Sequence, residues 1–382
     1  MAIIIPIAVV LTALYCLLIA VFLFGLAIKP VDRSQEKFSV TVVIAARNEE
    51  NNIGGILDDL VNQTFDASLF EVIVADDHST DKTAERVLSY SRRYPFIRLL
   101  KVGEIPPAFS PKKFALQQAV EAARGEIILA TDADCRVGPN WIRAMVSFFT
   151  PEVGFVIGFS QFGRKGEKQR FIERLQAFDF LTLMGAAAAT TNLGIPLAAS
   201  GQNMGYRKSL FMQVGGYRRV ARRVSGDDVL LLQLLLRLTG CRARFADDPL
   251  AFAVSQPQPN LAALINQRKR WASNGAYQLI LNPLFFAYLA LVLLFNLSLA
   301  VGLVGAAVTG AGVAAVAACF ASRALFEGLI AFRSAVKFSR TDLLPYFPLW
   351  LLVQIPYIVG VGLAGTFGRF TWKDRVHNAQ NL

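Results

Sequence analysis

The chain has 382 residues, 54% of them hydrophobic, and a mean hydropathy of +0.43. It is too apolar for an ordinary soluble enzyme and too polar for a protein made only of spans, so a soluble domain joined to membrane segments is expected. The formal net charge of +11 accompanies no nucleic-acid module, and the basic residues mostly flank apolar segments, which points to anionic lipid headgroups and away from nucleic acid.

Residues 2–28 carry no charge and are long enough to cross a bilayer. No basic residue precedes Lys29, so the segment reads as an anchor and not as a cleaved signal. Lys29, Arg33 and Lys37 follow it and place that side in the cytoplasm. From Ser39 the pattern alternates. Strands are expected at 40–45, 71–75, 97–101 and 127–130, and helices at 50–63, 81–93 and 112–123, the second capped by Ser79 or Thr80. Such a series predicts a mostly parallel α/β sheet covered on both faces, with a ligand edge at the carboxyl ends of its strands. Cys16, Cys135, Cys241 and Cys319 form no Cys-x-x-Cys pair, so a disulfide framework or zinc site is not expected, and a reducing compartment fits.

The loops at that edge are acidic. Ala46-Arg47-Asn48-Glu49-Glu50 follows the first strand, Asp76-Asp77-His78-Ser79-Thr80-Asp81 the second, and Thr131-Asp132-Ala133-Asp134 the fourth. Helix capping accounts for one or two of these acids but not for three acidic loops on one edge. Crowded carboxylates repel unless a cation or a hydrogen-bonding ligand compensates. Two acids one residue apart at a strand end suit a hard divalent cation, and that cation suits a diphosphate.

Further on, 171–180 is amphipathic, and an interfacial helix is expected there; 181–200 is uncharged but holds Asn192, Gly194 and Pro196, and is not read as a span. Ser200-Gly201-Gln202-Asn203-Met204-Gly205-Tyr206-Arg207-Lys208 and Gly215-Gly216-Tyr217 are either backbone turns lining a site or plain loops. Ser225-Gly226-Asp227-Asp228 precedes a Leu-rich helix at 229–238, where a helix dipole alone favours acids. Gln267-Arg268-Lys269-Arg270-Trp271 is the last polar cluster before the apolar segments 284–304, 311–332 and 343–367. The second of these carries Arg323 and Glu327, four apart and able to pair; the third is expected to be broken by Pro345, Pro348 and Pro356. Three such spans would leave the basic tail (Arg369, Lys373, Arg375) outside, against the positive-inside rule, so either one segment does not cross or the tail breaks the rule.

The ordered set of Asn48-Glu49, Asp76-Asp77, Asp132-Ala133-Asp134, Gly226-Asp227-Asp228 and Gln267-x-x-Arg270-Trp271 resembles the family 2 glycosyltransferases. It is most similar to their membrane-bound branch, which includes cellulose, hyaluronan and poly-N-acetylglucosamine synthases and ceramide glucosyltransferases. The resemblance spans about 38–275. It implies a GT-A, Rossmann-like catalytic domain at 38–275 facing the cytoplasm, a membrane anchor at 1–29, a membrane region at 283–368 and a basic tail at 369–382, in a multi-pass protein of the cell membrane. It implies a nucleotide-sugar donor, usually a UDP-sugar, a lipid or glycan acceptor, and Mg²⁺ or Mn²⁺. Glu49 and Asp77 would contact the nucleoside. Lys112, in Pro-Lys-Lys-Phe-Ala-Leu, stands at the family's lysine, although Pro111 replaces the usual glycine and leaves Lys112 and Lys113 both open. Asp132 and Asp134 would hold the metal and diphosphate, and Asp228 would be the base. Asp227, Gln267 and Trp271 would face the acceptor and diphosphate, and Arg270 would neutralise the departing diphosphate.

The chemistry suits these residue types. Displacing a nucleoside diphosphate from an anomeric carbon needs charge neutralisation and a base but no side-chain nucleophile, so a single inverting displacement is expected. Transfer to a membrane lipid is the leading expectation, because about four apolar segments in one protomer would struggle to enclose a path for an exported polymer. A processive polysaccharide synthase is the alternative within the enzyme reading, with a second copy or partner subunit left open. Outside it stand an inactive nucleotide-sugar-binding subunit, disfavoured because no motif acid is missing, and a transporter, disfavoured by the large polar domain.

Overall fold

The computed structural model describes residues 1–29, 33–372 and 375–378. The chain opens on α1 (Ile4–Ala27) and then alternates: β1 (Val40–Ala46), α2 (Ile53–Val61), β2 (Phe70–Asp76), α3 (Thr83–Ser91), β3 (Ile97–Lys101), α4 (Pro111–Ala122) and β4 (Ile127–Asp132). Next come β5 (Arg136–Val137), α5 (Trp141–Val146), β6 (Val153–Gly158), β7 (Ser160–Phe162), α6 (Phe171–Asn192), β8 (Met204–Arg207), α7 (Lys208–Gln213), α8 (Val229–Thr239), β9 (Arg242–Ala246) and β10 (Ala253–Ser255). The last elements are α9 (Leu261–Ala272), α10 (Gln278–Leu281), α11 (Pro283–Thr309), α12 (Val313–Lys337), α13 (Phe347–Phe367), β11 (Arg369–Trp372) and β12 (Arg375–Asn378). They form two compact units: residues 30–164 with 194–257, and residues 1–29 with 165–193 and 258–382.

The first unit is built on a seven-stranded sheet in the order β3-β2-β1-β4-β8-β6-β9. β3, β2, β1 and β4 run parallel, β8 runs antiparallel to β4 and β6, and β9 is parallel to β6. This mostly parallel α/β sheet is the expected fold class. Val42, Val43 and Ile44 of β1 are fully buried, as befits a strand covered on both faces. α2 buries Ile53, Ile56, Leu57 and Leu60, a stripe at helical spacing, in the same core as Val42, Val74 and Leu129. Every strand and helix expected between 40 and 132 is present, each end within a turn of its expected place. β5 to β10 carry no expectation from the sequence; β8 corrects part of the turn or loop expected at 200–208, and its Met-Gly-Tyr-Arg has no alternation to read. The expected cap of α3 is corrected: the helix starts at Thr83, and it is Asp81 whose carboxylate accepts from the Thr83 amide (3.0 Å) and hydroxyl (2.5 Å).

The second unit is mainly helical. Among its described residues four segments are long and apolar enough to cross a membrane: Ile4–Ala27, Pro283–Thr309, Val313–Lys337 and Thr341–Phe367. α6 is a single helix from Phe171 to Asn192, longer than the amphipathic stretch expected. It crosses α1 closely at Gly25, where a Cβ would come within 2.4 Å of the Ala189 carbonyl oxygen. The expected break at three prolines is also corrected. Pro345 sits in a 3-10 turn, Thr341–Tyr346, and Pro348 lies in the first turn of α13, where an absent N–H costs nothing. α13 then continues through Pro356, an interruption that apolar helices tolerate when neighbouring groups satisfy the freed carbonyl. Arg323 and Glu327 do pair, Nε to Oε1 at 3.1 Å, and the hydroxyl of Tyr15 donates to the same carboxylate at 2.7 Å. Of the basic tail, Lys373 lies outside the described residues; the described part forms the antiparallel β11–β12 hairpin.

Candidate functional site

Sheet register aligns the acidic loops. Ala46 pairs with Asp76 and Ala45 with Asp132, so β1, β2 and β4 end level with one another. The first two loops then lock together. Asn48, at φ 53, receives a bond from the Thr80 amide (2.9 Å) and gives its own amide proton to the Ser79 hydroxyl (3.0 Å). The Glu49 amide donates to the Thr83 hydroxyl at 2.8 Å, and its carboxylate accepts from the Asn52 side chain at 2.8 Å. Asp77 is buried, with Arg47 at 3.7 Å and the His78 ring at 3.2 Å.

Four further acids gather about one lysine. The Lys112 ammonium lies 2.8 Å from Asp132 and 2.8 Å from Asp227, joining the fourth strand's loop to the start of α8. Burial alone would lower its pKa; the two carboxylates outweigh burial and hold the ammonium charged. Burial likewise acts to raise Asp227, but Lys112 more than offsets it and keeps this acid ionised. Asp228 is different. Burial, then the adjacent Asp227 charge, push it up to about 6. Its oxygens accept from the amides of Gly201 (2.9 Å) and Val229 (2.6 Å), so it caps α8 with fixed geometry and retains lone pairs able to take a proton. Asp134 is also raised to about 6, by burial, then Asp132 and Glu49. The Ser255 hydroxyl of β10 approaches Asp134 at 3.4 Å and itself accepts from Gln202 at 2.9 Å.

The structure separates the two adjacent lysines left open by the sequence. Lys112 reaches the acids. Lys113 is fully buried and donates to three backbone carbonyls, of Val220 (3.2 Å), Arg223 (2.6 Å) and Ser225 (2.8 Å). Burial pushes it down to about 7 against the pull of Asp227 and Asp228, and the three bonds use all three ammonium protons.

Among the described residues, no three acidic, His or Cys side chains gather into a self-sufficient metal cage. Asp132 and Asp134 nevertheless fit a divalent ion that completes its shell with water and phosphate oxygens, as Mg²⁺ habitually does. The upward push that Asp132 and Glu49 exert on Asp134 is the electrostatic strain such an ion would relieve.

Gln267, Arg270 and Trp271 lie on α9, in the second unit. The neighbouring Arg268, which the sequence reading passed over, is buried with Asp179 of α6 at 2.6 Å, and its guanidinium lies 4.1 Å from the Trp271 ring centroid. Phe180 approaches the same ring at 6.1 Å. Asp179 gave a signal of its own: an acid interrupting an apolar stretch needs a partner. Gln202 lies in the stretch read as turns lining a site or as plain loops, whereas Ser255 of β10 gave no signal, because a lone hydroxyl is unremarkable in sequence.

Comparison with known proteins adds to this geometry. The family described as Glycosyl transferase family 2 matches residues 41–215. The chain is 27% identical over 239 residues to a beta-monoglucosyldiacylglycerol synthase of Nostoc sp., covering 62% of this chain and 48% of that one. It is 36% identical over 101 residues to a dolichyl-phosphate beta-glucosyltransferase of Trichomonas vaginalis, covering 25% and 30%. The chain thus spans about half the length of the first curated relatives it matches. Among solved structures, the mannosyltransferase PcManGT from Pyrobaculum calidifontis, in complex with GDP-Man and Mn²⁺, superposes with a TM-score of 0.63 at 19% identity, over 95% of this chain and 98% of that one. That likeness shows the fold.

Proposed function

We propose that this chain, which carries a family 2 glycosyltransferase domain, moves a sugar from a nucleotide-sugar donor to a membrane lipid with inversion at the anomeric carbon. The observation that carries the reading is the Lys112-centred cluster, with an ionised Asp227 on one side and an Asp228 poised near 6 beside it. A raised carboxylate that is still ionised at neutral pH is suited to accept a proton from a hydroxyl. In the step, an acceptor hydroxyl oxygen bonds to the anomeric carbon, the bond to the diphosphate oxygen breaks, and the hydroxyl proton passes to Asp228. Glu49 and Asp77 are assigned to the nucleoside, and Lys112 and Asp132 to the donor side. Gln267, Arg270 and Trp271 are assigned, by family resemblance, to acceptor and diphosphate. Asp132 and Asp134 would hold Mg²⁺ or Mn²⁺, which neutralises charge on a departing diphosphate when bound.

A lipid acceptor is favoured because named relatives include a beta-monoglucosyldiacylglycerol synthase and a dolichyl-phosphate beta-glucosyltransferase. The four apolar segments suit a multi-pass protein whose polar unit faces the cytoplasm. The test is to incubate purified protein with a panel of nucleotide sugars, Mg²⁺ or Mn²⁺ and a lipid extract, and to measure nucleoside diphosphate release. Release from one or a few donors, dependent on both metal and lipid, is expected. No release from any donor would refute the proposal.

A further inference from the structure

One face of α4 is polar although it is buried. Ser110 at its start, Lys113 and Gln117 follow one another at helical spacing, and all three are buried. Each is bonded to the same segment, residues 216–225, which leads directly into Asp227 and Asp228. The Ser110 amide donates to the Ala221 carbonyl at 2.7 Å. The Lys113 ammonium donates to three carbonyls, of Val220, Arg223 and Ser225. The Gln117 side-chain oxygen accepts from the Tyr217 amide at 2.8 Å, and the Tyr217 hydroxyl donates to the Asp227 carbonyl at 3.1 Å. Gly216 permits this approach: at φ +60, a Cβ there would lie 2.2 Å from the Gln117 oxygen.

A lone apolar-faced loop would not turn three carbonyls inward toward one point. Those carbonyls face away from water and need donors. An ammonium is the one side-chain group with three rotatable donors, and here it plays the part of a bound monovalent cation. The loop itself carries Arg218, Arg219, Arg222 and Arg223 and no acid, so its own charges give it no reason to fold back on itself.

We infer that Lys113 is a positioning residue: its ammonium, caged by the carbonyls of Val220, Arg223 and Ser225, fixes the loop that presents Asp227 and Asp228. The tandem lysines divide the work. Lys112 sets the charge state of Asp227, and Lys113 sets the path of the backbone behind both acids. The inference rests on the transferase reading for its catalytic consequence, but the clamp itself is read without activity.

The test uses the full chain in detergent or nanodiscs, with Lys113→Met and Lys113→Ala. The loop's arginines make trypsin the probe. In the wild type, cleavage at residues 218–223 is slow; in both variants it is fast, and methylammonium at high concentration slows it again in Lys113→Ala, whereas tetramethylammonium, which has no N–H, does not. Turnover falls roughly 10²-fold, the order expected of a misplaced catalytic group, at nearly unchanged donor affinity, and methylammonium restores part of it. Retained donor binding shows that the variants fold. Variants that fold and resist trypsin like the wild type overturn the clamp. Rapid cleavage with undiminished turnover overturns the positioning role. Loss of donor binding and of a cooperative melt in both variants makes Lys113 a determinant of the whole fold, and also overturns it. A wild type that transfers no sugar, yet shows the trypsin pattern, refutes the transferase reading and leaves the clamp standing.

Discussion

At the scale of single residues, adjacent aspartates are driven apart by their surroundings. Asp227 is tied to Lys112 and kept ionised, whereas Asp228 accepts from two amides, feels Lys112 only as its last and weakest influence, and is raised to about 6 by burial and the Asp227 charge. Asp228→Asn should therefore retain donor affinity and lose about two to four orders of magnitude in turnover. Collapse of donor affinity with surviving turnover at saturation would make it a binding residue instead. The sign of the pH dependence follows. As the proposed base, Asp228 would work deprotonated, and its folded pKa lies above the ordinary carboxylate range, so kcat should fall as pH drops through about 6 and level off above it. A pH-rate profile shows this limb in the wild type and not in the residual activity of Asp228→Asn. Asp134→Ala makes a separate prediction: Mn²⁺ should tighten binding of the nucleoside diphosphate to the wild type but not to the variant, by titration calorimetry. Equal metal dependence in both would remove Asp134 from the metal site. The residue types of this site were legible in the sequence because acids cluster at strand ends for few other reasons. The division of labour between Lys112 and Lys113 was not, since neighbouring positions on a helix point about 100° apart and only the fold shows which faces the acids.

At the scale of elements, the parallel half of the sheet was readable and the antiparallel half was not. β1 to β4 are short, mostly apolar runs separated by periodic helices, whereas β8 is specified by its neighbours β4 and β6. The helices of the second unit were legible as apolar lengths, but not their interruptions: Pro356 looked like a break and is carried within α13. The join between α6 and α9 was hidden, because Asp179 and Arg268 are far apart in sequence and meet only in the fold at 2.6 Å. Both are buried, and the Tyr357 hydroxyl bonds to each, so removing one partner leaves the other with that hydroxyl in place of its counter-charge. Asp179→Leu or Arg268→Met alone should cost about 3–5 kcal/mol, whereas the two together should recover most of it. Thermal unfolding of the two single variants and the double variant decides this. Additive losses would show that the pair is not a closed unit. Because Arg268 lies against the Trp271 ring, the single variants should also alter tryptophan emission, and that change should vanish in a Trp271→Phe background.

At the scale of the whole molecule, the domain and the apolar segments answer different questions. The family match at 41–215 and the shared fold support the kind of catalyst proposed above. Acceptor choice is not written in motifs, since the same acids serve lipid and polymer alike. The proposed lipid acceptor rests on what the apolar segments can surround. Among the described residues four such segments are present, and a hydrated polymer inside a bilayer needs polar contacts along its entire path. The most direct measurement is therefore the mass of the product formed by purified protein in lipid nanodiscs with its preferred nucleotide sugar and divalent metal. The account predicts a lipid carrying one or a few sugars, formed only when an acceptor lipid is present. A high-molecular-weight, glycosidase-sensitive polymer made without added lipid acceptor would contradict it.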